Sequence, residues 1–201
     1  MDFVSTTVNM NKPRNLMYKF IAILIVPFFI LSCGPQDSYS DSDNEQDYDI
    51  EERLEELGIV LDAPTPPTAN YRRAVRTGNL VFLAGHGPDK PDGGQVTGTM
   101  GTDELTLEEG QEAARLTGIS LLNSLKDEIG DLNKVKQIVK VNGMVKAHPS
   151  FTQHSQVING FSDLMVDVFG ERGRHARASV GMSSLPGNIP VEIDMIVELK
   201  E

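Results

Sequence analysis

Residues 174–199, RHARASVGMSSLPGNIPVEIDMIVEL, decide the fold of this chain. Apolar and polar residues alternate on both sides of Leu185-Pro186-Gly187, which predicts two strands, Arg177–Ser183 and Pro190–Leu199, joined by a turn. Arg177 lies on the first of these strands and Glu192 on the second. We therefore expect a guanidinium and a carboxylate on successive strands, an arrangement suited to binding a small carboxylate beside an acid/base group.

The residues upstream alternate between a period of two and a period of 3.6. The period-two segments predict strands at Tyr71–Arg76, Leu80–Ala84, Gln95–Gly98 and Val135–Ala147, the last with a bulge at Gly143. Two helices are predicted, one opening on a capping box at Thr106–Glu109 and closed by Gly130, the other capped within Ser150–Gln153 and ending at Gly170.

The resulting order ββ(β)αβαββ predicts an α+β domain, in which two helices pack on one face of a single mixed sheet. The other face is then left open. Because such a face is normally buried, we expect the chain to associate with copies of itself.

The N-terminus has the pattern of an export signal. An uncharged apolar run, Phe20–Leu31, follows basic residues and is too short for a comfortable membrane span. It ends at Cys33, the only cysteine, in the manner of a bacterial lipobox. We expect a lipoprotein signal peptide at residues 1–32 and a lipidated Cys33 that anchors the protein in the cell envelope, facing the periplasm or the surface. The alternative is an unmodified cysteine after an ordinary signal or anchor.

Residues 33–69 are expected to form an acidic disordered tether and a Pro-rich linker, since Gly34–Glu52 carries eight acidic residues and no basic one. A short helix at Glu51–Leu57 is the one element predicted there. The compact domain is expected at residues 70–201.

Charge argues against nucleic acid as a partner. The whole chain has a formal net charge of −11, and residues 53–201 still carry 20 acidic against 15 basic side chains. A domain of this composition has no basic stripe for phosphates. A ribonuclease is therefore disfavoured.

Three segments together resemble the Rid family of YjgF-like proteins, whose RidA members deaminate reactive imines and enamines. They are Asn70–Val75 (NYRRAV), Val81–Pro88 (VFLAGHGP) and the closing ARASV, Leu185-Pro186 and Val191-Glu192-Ile193. The distances along the chain from the arginine to Leu-Pro and to Val-Glu-Ile match the family.

The resemblance implies a chorismate-mutase-like fold and a homotrimer with three active sites in the clefts between subunits. It implies that Arg177 holds the substrate carboxylate and that Glu192, with a water, adds hydroxide to the C=N carbon of a 2-imino acid, releasing ammonia and a 2-oxo acid. Substrate-lining positions match Tyr71, Gly85, Ala84 and Ser179. No metal and no organic cofactor is implied.

Several departures and alternatives accompany this hypothesis. Ser179 and Ala84 stand where many deaminase members have cysteine and serine, and Asn159 lies near a pocket asparagine of some members. A trimeric module that binds small carboxylates without turning them over is the alternative function. Arg177 could instead pair with Glu192 or Asp194 across neighbouring strands, and His86 and His175 are expected to be surface or hydrogen-bonded histidines rather than metal ligands.

Overall fold

The computed structural model describes residues 49–67 and 69–201. The predicted signal peptide, Cys33 and the tether up to residue 48 lie outside these residues. In the described part of the chain, no helix is both long and apolar enough to cross a membrane.

Five strands form one mixed sheet, as predicted. They are β1 Ala74–Thr77, β2 Leu80–His86, β3 Val135–Lys146, β4 Ala176–Met182 and β5 Val191–Leu199. Their order in space is β1-β2-β5-β3-β4, with β3 and β4 parallel and the other neighbours antiparallel. The two strands that follow each other at the end of the chain are therefore separated by β3.

Two sheet details differ from the prediction. The segment Gln95–Gly98 is not a strand, because its only pairing is an isolated bridge between Gln95 and Asp89. Gly143 is not at a bulge but pairs in register with Ser179 on one side and Ile193 on the other. A side chain at this position would meet Ile158 at 2.6 Å, so the glycine makes room for helix packing.

The helices are α1 Ile50–Glu56, α2 Leu107–Ile129 and α3 His154–Phe169. The capping box at α2 is confirmed, and Gly130 ends this helix in a left-handed conformation. The residue before α3, Gln153, makes no capping hydrogen bond through its side chain, unlike the predicted cap. The two long helices cross closely at Gly160, where a Cβ would lie 2.0 Å from the carbonyl oxygen of Gln111.

The packed domain begins before the predicted boundary at Asn70. Asp49, expected to be part of a disordered tether, caps α1 by accepting hydrogen bonds from the backbone of Glu51 and Glu52. Ile50 and Leu54 are buried in the hydrophobic core, at 0% and 3% exposure. The acidic composition of this segment predicts a solvated tether. Its two apolar residues, which lie one helical turn apart, nevertheless place it in the core.

The face of the sheet turned away from α2 and α3 carries exposed apolar side chains. Val75, Phe82, Val180 and Met182 are between 37% and 50% exposed. Phe82 pairs with Ile196 on β5, and Val180 with Met144 on β3, so these side chains form one band across the strands. Such a band is typical of a surface that associates.

We predict that α1 contributes to the stability of the domain. Leu54→Ala should lower the free energy of unfolding by about 2–4 kcal/mol, because it opens a cavity in the core. Urea unfolding followed by circular dichroism measures this change. Val60→Ala is the matched control, since this side chain is 78% exposed; equal, small losses in both variants would show that α1 is dispensable.

Candidate active site

A cavity of about 420 Å³ brings together three of the residues singled out in the sequence. Tyr71, Gly85 and Glu192 line it, together with Arg73 and the turn at Pro186-Gly187. Tyr71 is 46% exposed at its rim. Ala84, the fourth expected lining residue of this region, is not among its walls. The backbone of Ala84 instead bonds to Arg73 and His86.

Glu192 lies directly against the backbone of Gly85. A Cβ on Gly85 would be 2.1 Å from Glu192 Oε1, so only glycine lets the carboxylate occupy this position. The pairing of β2 with β5 shifts register at this point, between Leu83 and His86. Burial, and secondarily the neighbouring Asp194, raises the pKa of Glu192 above its ordinary value. A carboxylate of this kind is suited to taking up and returning a proton.

His86 fixes the strand segment that presents Gly85. Its Nδ1 lies 2.7 Å from the carbonyl oxygen of Ala84, and its Nε2 lies 2.7 Å from Ser124 Oγ on α2. A carbonyl only accepts, so Nδ1 carries the proton and Nε2 accepts from the serine hydroxyl. Burial is the main cause that lowers the pKa of His86. The expectation of a hydrogen-bonded histidine is thus confirmed.

Arg177 lies apart from this cavity and contacts α3. Its Nη1 donates to Asn159 Oδ1 at 3.0 Å and to Ser162 Oγ at 2.8 Å, and its Nη2 donates to the carbonyl of Ser155 at 3.3 Å. Three of the five N–H donors of a guanidinium are used in this way, and the Nε donor is not among them. The arginine is held firmly while part of its binding edge stays available.

The expectation that Arg177 and Glu192 lie on neighbouring strands is wrong within one chain. Strand β3 runs between β4 and β5, and Glu192 pairs with Met144 of β3, which in turn pairs with Val180. Arg177 points to the helix side of the sheet, whereas Glu192 alternates with the buried residues of β5 and points to the opposite side. The alternative ion pair with Glu192 or Asp194 is not formed either, and Asp194 accepts instead from Asn142.

A second histidine supports Arg177 through a serine. Ser162 Oγ, which accepts from Arg177, lies 3.0 Å from His175 Nε2, and His175 Nδ1 lies 2.7 Å from the carbonyl oxygen of Gly173. Nδ1–H therefore donates a hydrogen bond to this carbonyl, and Nε2 accepts one from the serine hydroxyl. Burial is the main cause that lowers the pKa of His175. His86 and His175 thus use the same arrangement, one beside Gly85 and the other beside Arg177.

Ser179 lies on the same face of β4 as Arg177, two residues along the strand. Its hydroxyl is buried and has no hydrogen-bond partner among the described residues. It therefore belongs with Arg177 and Asn159, not with the cavity at Glu192. Within residues 49–67 and 69–201, no group of three or more His, Cys, Asp or Glu side chains is arranged to hold a metal ion.

Sequence reasoning missed Arg73 and Ser162. Arg73 stands in the quoted segment NYRRAV, two residues after Tyr71, so the two side chains leave an extended chain on the same side and its place in the cavity could have been inferred. Ser162 carries no comparable signal, because its role depends on where α3 packs.

The family model described as "YjgF/chorismate_mutase-like, putative endoribonuclease" matches residues 51–199. The chain belongs to this family. The expected YjgF-like membership and fold are therefore confirmed. The match includes α1, in agreement with its burial in the core.

Among individual proteins, the chain is similar to protein TCP17 of Trypanosoma cruzi, with 44% identity over 147 residues, which cover 73% of this chain and 91% of that protein. A solved structure of the protein Atu1372 with unknown function from Agrobacterium tumefaciens is 43% identical, covers 75% of this chain and 92% of its own, and has a TM-score of 0.69. A "putative endoribonuclease" from Shewanella oneidensis is 30% identical, with 76% and 100% coverage and a TM-score of 0.72.

We predict that the YjgF-like domain loses stability on mild acidification. Unfolded histidine titrates near 6.5, and both His86 and His175 have a folded pKa below that value. The unfolded state therefore binds protons first. The contribution of these two histidines to the free energy of unfolding should be constant above about pH 7 and be lost as the pH drops below 6.5 towards the folded pKa values.

Urea midpoints at pH 7.5 and pH 5.5 check this prediction. The double variant His86→Gln/His175→Gln should show a smaller drop between the two pH values than the wild type, whereas the exposed His148→Gln should not differ from it. An unchanged drop in the double variant would assign the pH dependence to other groups.

Proposed function

We propose that this protein hydrolyses small 2-imino or 2-enamino acids to 2-oxo acids and ammonia at clefts between the subunits of a homotrimer. The observation that carries the proposal is the half-buried Glu192 carboxylate, which lies against Gly85 in an open cavity and has a raised pKa. Family membership supports it, since the residues around Glu192 and Arg177 are those that the resemblance to deaminase members rests on.

The site is proposed to be shared between subunits because one chain holds it in two halves. Tyr71, Gly85 and Glu192 form one half, and Arg177 with Asn159 forms the other, on the opposite side of the sheet. A substrate that needs both must sit where two copies meet. The exposed apolar band of the open sheet face supplies a surface for such an association.

In the proposed reaction, Arg177 binds the substrate carboxylate through its remaining N–H donors. Glu192 accepts a proton from water while the water oxygen bonds to the imine carbon, and the C=N electron pair moves to nitrogen, which takes up that proton from Glu192. Glu192 then carries the hydroxyl proton of the tetrahedral adduct to the amine nitrogen, so that the C–N bond breaks, the C=O bond forms and ammonia leaves. One imine and one water give one 2-oxo acid and one ammonia, so positioning and one proton shuttle suffice.

Two other functions are weighed against this one. Endoribonuclease is the activity that the names of the family model and of the Shewanella protein carry. The excess of acidic side chains in residues 53–201 disfavours RNA binding. The second alternative is a trimer that binds small carboxylates in the same pocket without turnover. Only an activity assay distinguishes this function from that of the enzyme.

We predict that the purified chain accelerates ammonia release from imines generated in situ by an amino-acid oxidase. Arg177→Ala should lower kcat/KM about 10- to 100-fold through loss of a charged hydrogen bond to the substrate. Glu192→Gln should lower kcat about 100-fold or more through loss of the proton acceptor.

Control variants come from an exposed ion pair between Arg174 and Glu171, whose side chains are 65% and 83% exposed. Arg174→Ala and Glu171→Gln should retain full activity. No acceleration by the wild type, with ligand binding retained, would replace the enzyme by the binding module.

We also predict that two inactive variants restore each other's activity. Arg177→Ala and Glu192→Gln subunits, unfolded and refolded together at equal amounts, should recover about a quarter of the wild-type activity, because random mixing leaves both wild-type residues in that share of shared clefts. Each variant refolded alone is the control. If the mixture is as inactive as its components, or sedimentation shows only monomers, the shared site is wrong.

A further inference from the structure

A second arginine lies in the cavity of Glu192 and has no role in the reaction proposed above. Arg73 lines this cavity of about 420 Å³ and also the adjoining grooves of about 690 and 290 Å³. Its guanidinium therefore lies where three depressions meet. This places a positive charge within reach of any ligand that extends from Glu192 towards the N-terminal segment.

Only some of the N–H donors of the Arg73 guanidinium have a hydrogen-bond partner among the described residues. Nη2 donates to Thr65 Oγ1 at 2.9 Å, whereas Nε is buried and has no hydrogen-bond partner among the described residues. Within the described part of the chain, no carboxylate forms an ion pair with it. A half-buried cation in this condition is costly, because neither water nor a counter-charge compensates it fully.

Two acidic residues, Asp89 and Glu192, line the same cavity as Arg73, and neither forms an ion pair with it. Asp89 lines the same cavity, but its Oδ1 accepts a hydrogen bond from Gln95 at 2.9 Å. The charge on Arg73 is felt by His86, whose pKa it helps to lower, after burial. It does not lower the pKa of Glu192, which burial and Asp194 raise. The guanidinium of Arg73 thus has an unused donor and no ion-pair partner among the described residues.

The contact with Thr65 comes from the segment after α1. Thr65 and Pro66 form part of the cavity wall, and Thr65 holds one end of the guanidinium. Because one N–H group is fixed there, the other donors keep a defined direction. This arrangement suits the binding of a carboxylate in one orientation, since a guanidinium binds carboxylates through paired donors.

We infer that Arg73 binds a second acidic group of the substrate, so that the site prefers 2-imino diacids to 2-imino acids with apolar side chains. This inference rests on the proposed function, in which Arg177 of a neighbouring subunit binds the first carboxylate. Arg73 is then a specificity-determining residue, and Glu192 acts on the imine carbon between the two acidic groups.

Two five-carbon imines that differ in one carboxylate test the inference. The imine of glutamate is generated by a glutamate oxidase and that of norvaline by a general amino-acid oxidase, each with the full-length chain. The wild type should have a kcat/KM at least about tenfold higher for the diacid imine. Arg73→Gln should lower this value about 10- to 100-fold for the diacid and change it less than about twofold for the norvaline imine.

Arg73→Lys should retain part of the preference, because it keeps the charge but loses the paired donors. Arg76→Gln is the matched control, since Arg76 is exposed on β1 and bonds only to the carbonyl of Gly78 among the described residues. An equal loss of both activities in Arg73→Gln, or a wild type without preference, would overturn the role of Arg73 and leave the deaminase intact. The wild-type preference needs no variant, so a misfolded Arg73→Gln does not prevent the decision.

If neither imine is turned over, the proposed function fails and Arg73 is judged by binding. Calorimetric titration then compares 2-oxoglutarate with 2-oxopentanoate. Binding of the diacid at least tenfold more tightly by the wild type, lost in Arg73→Gln, would support an anion-binding Arg73. Equal affinities, or no binding of either acid, would overturn it.

Discussion

The insertion of β3 between β4 and β5 is the constraint on which the rest of this structure depends. Strand β5 thereby lies between β2 and β3, and one face of β5 is completely buried. The same insertion separates Arg177 from Glu192, because residues on strands two apart and on opposite faces of a sheet cannot touch one ligand. The fold therefore stabilises the sheet by an arrangement that separates the two halves of the proposed site.

Each half of the proposed site contains a histidine held in its neutral form, buried at His86 and half-buried at His175. His86 links β2 to α2, and His175 links the start of β4 to α3, each through a serine of the helix. In both cases the carbonyl oxygen two residues earlier accepts a hydrogen bond from Nδ1–H, so the direction of every hydrogen bond is fixed. A side chain with one donor and one acceptor suits this task, whereas a protonated ring would meet the serine with a second donor.

Much of the fold could be predicted from the sequence, because its signals are local. The capping box at Thr106, the left-handed Gly130 and the alternation along β5 depend on neighbours in the chain and are found as expected. Part of the strand order in the sheet could also have been predicted. A strand, a helix and a strand in succession favour a parallel pair joined by a crossover, and β3, α3 and β4 form such a unit. This rule places β4 beside β3, not beside β5.

The site was less predictable, because its contacts join residues that are distant along the chain. Arg177 and Glu192 were found by their motif, but the partners of Arg177 belong to α3, and only packing brings them together. This packing has a consequence for the chemistry. A guanidinium bound by Asn159, Ser162 and Ser155 has lost its freedom within the subunit, so little further ordering is needed when a ligand arrives. Glu192 lies directly against the backbone of Gly85. Because these two halves of the proposed site lie on opposite sides of the sheet, only association between copies can join them, which makes the apolar band on the open face a condition for the proposed reaction.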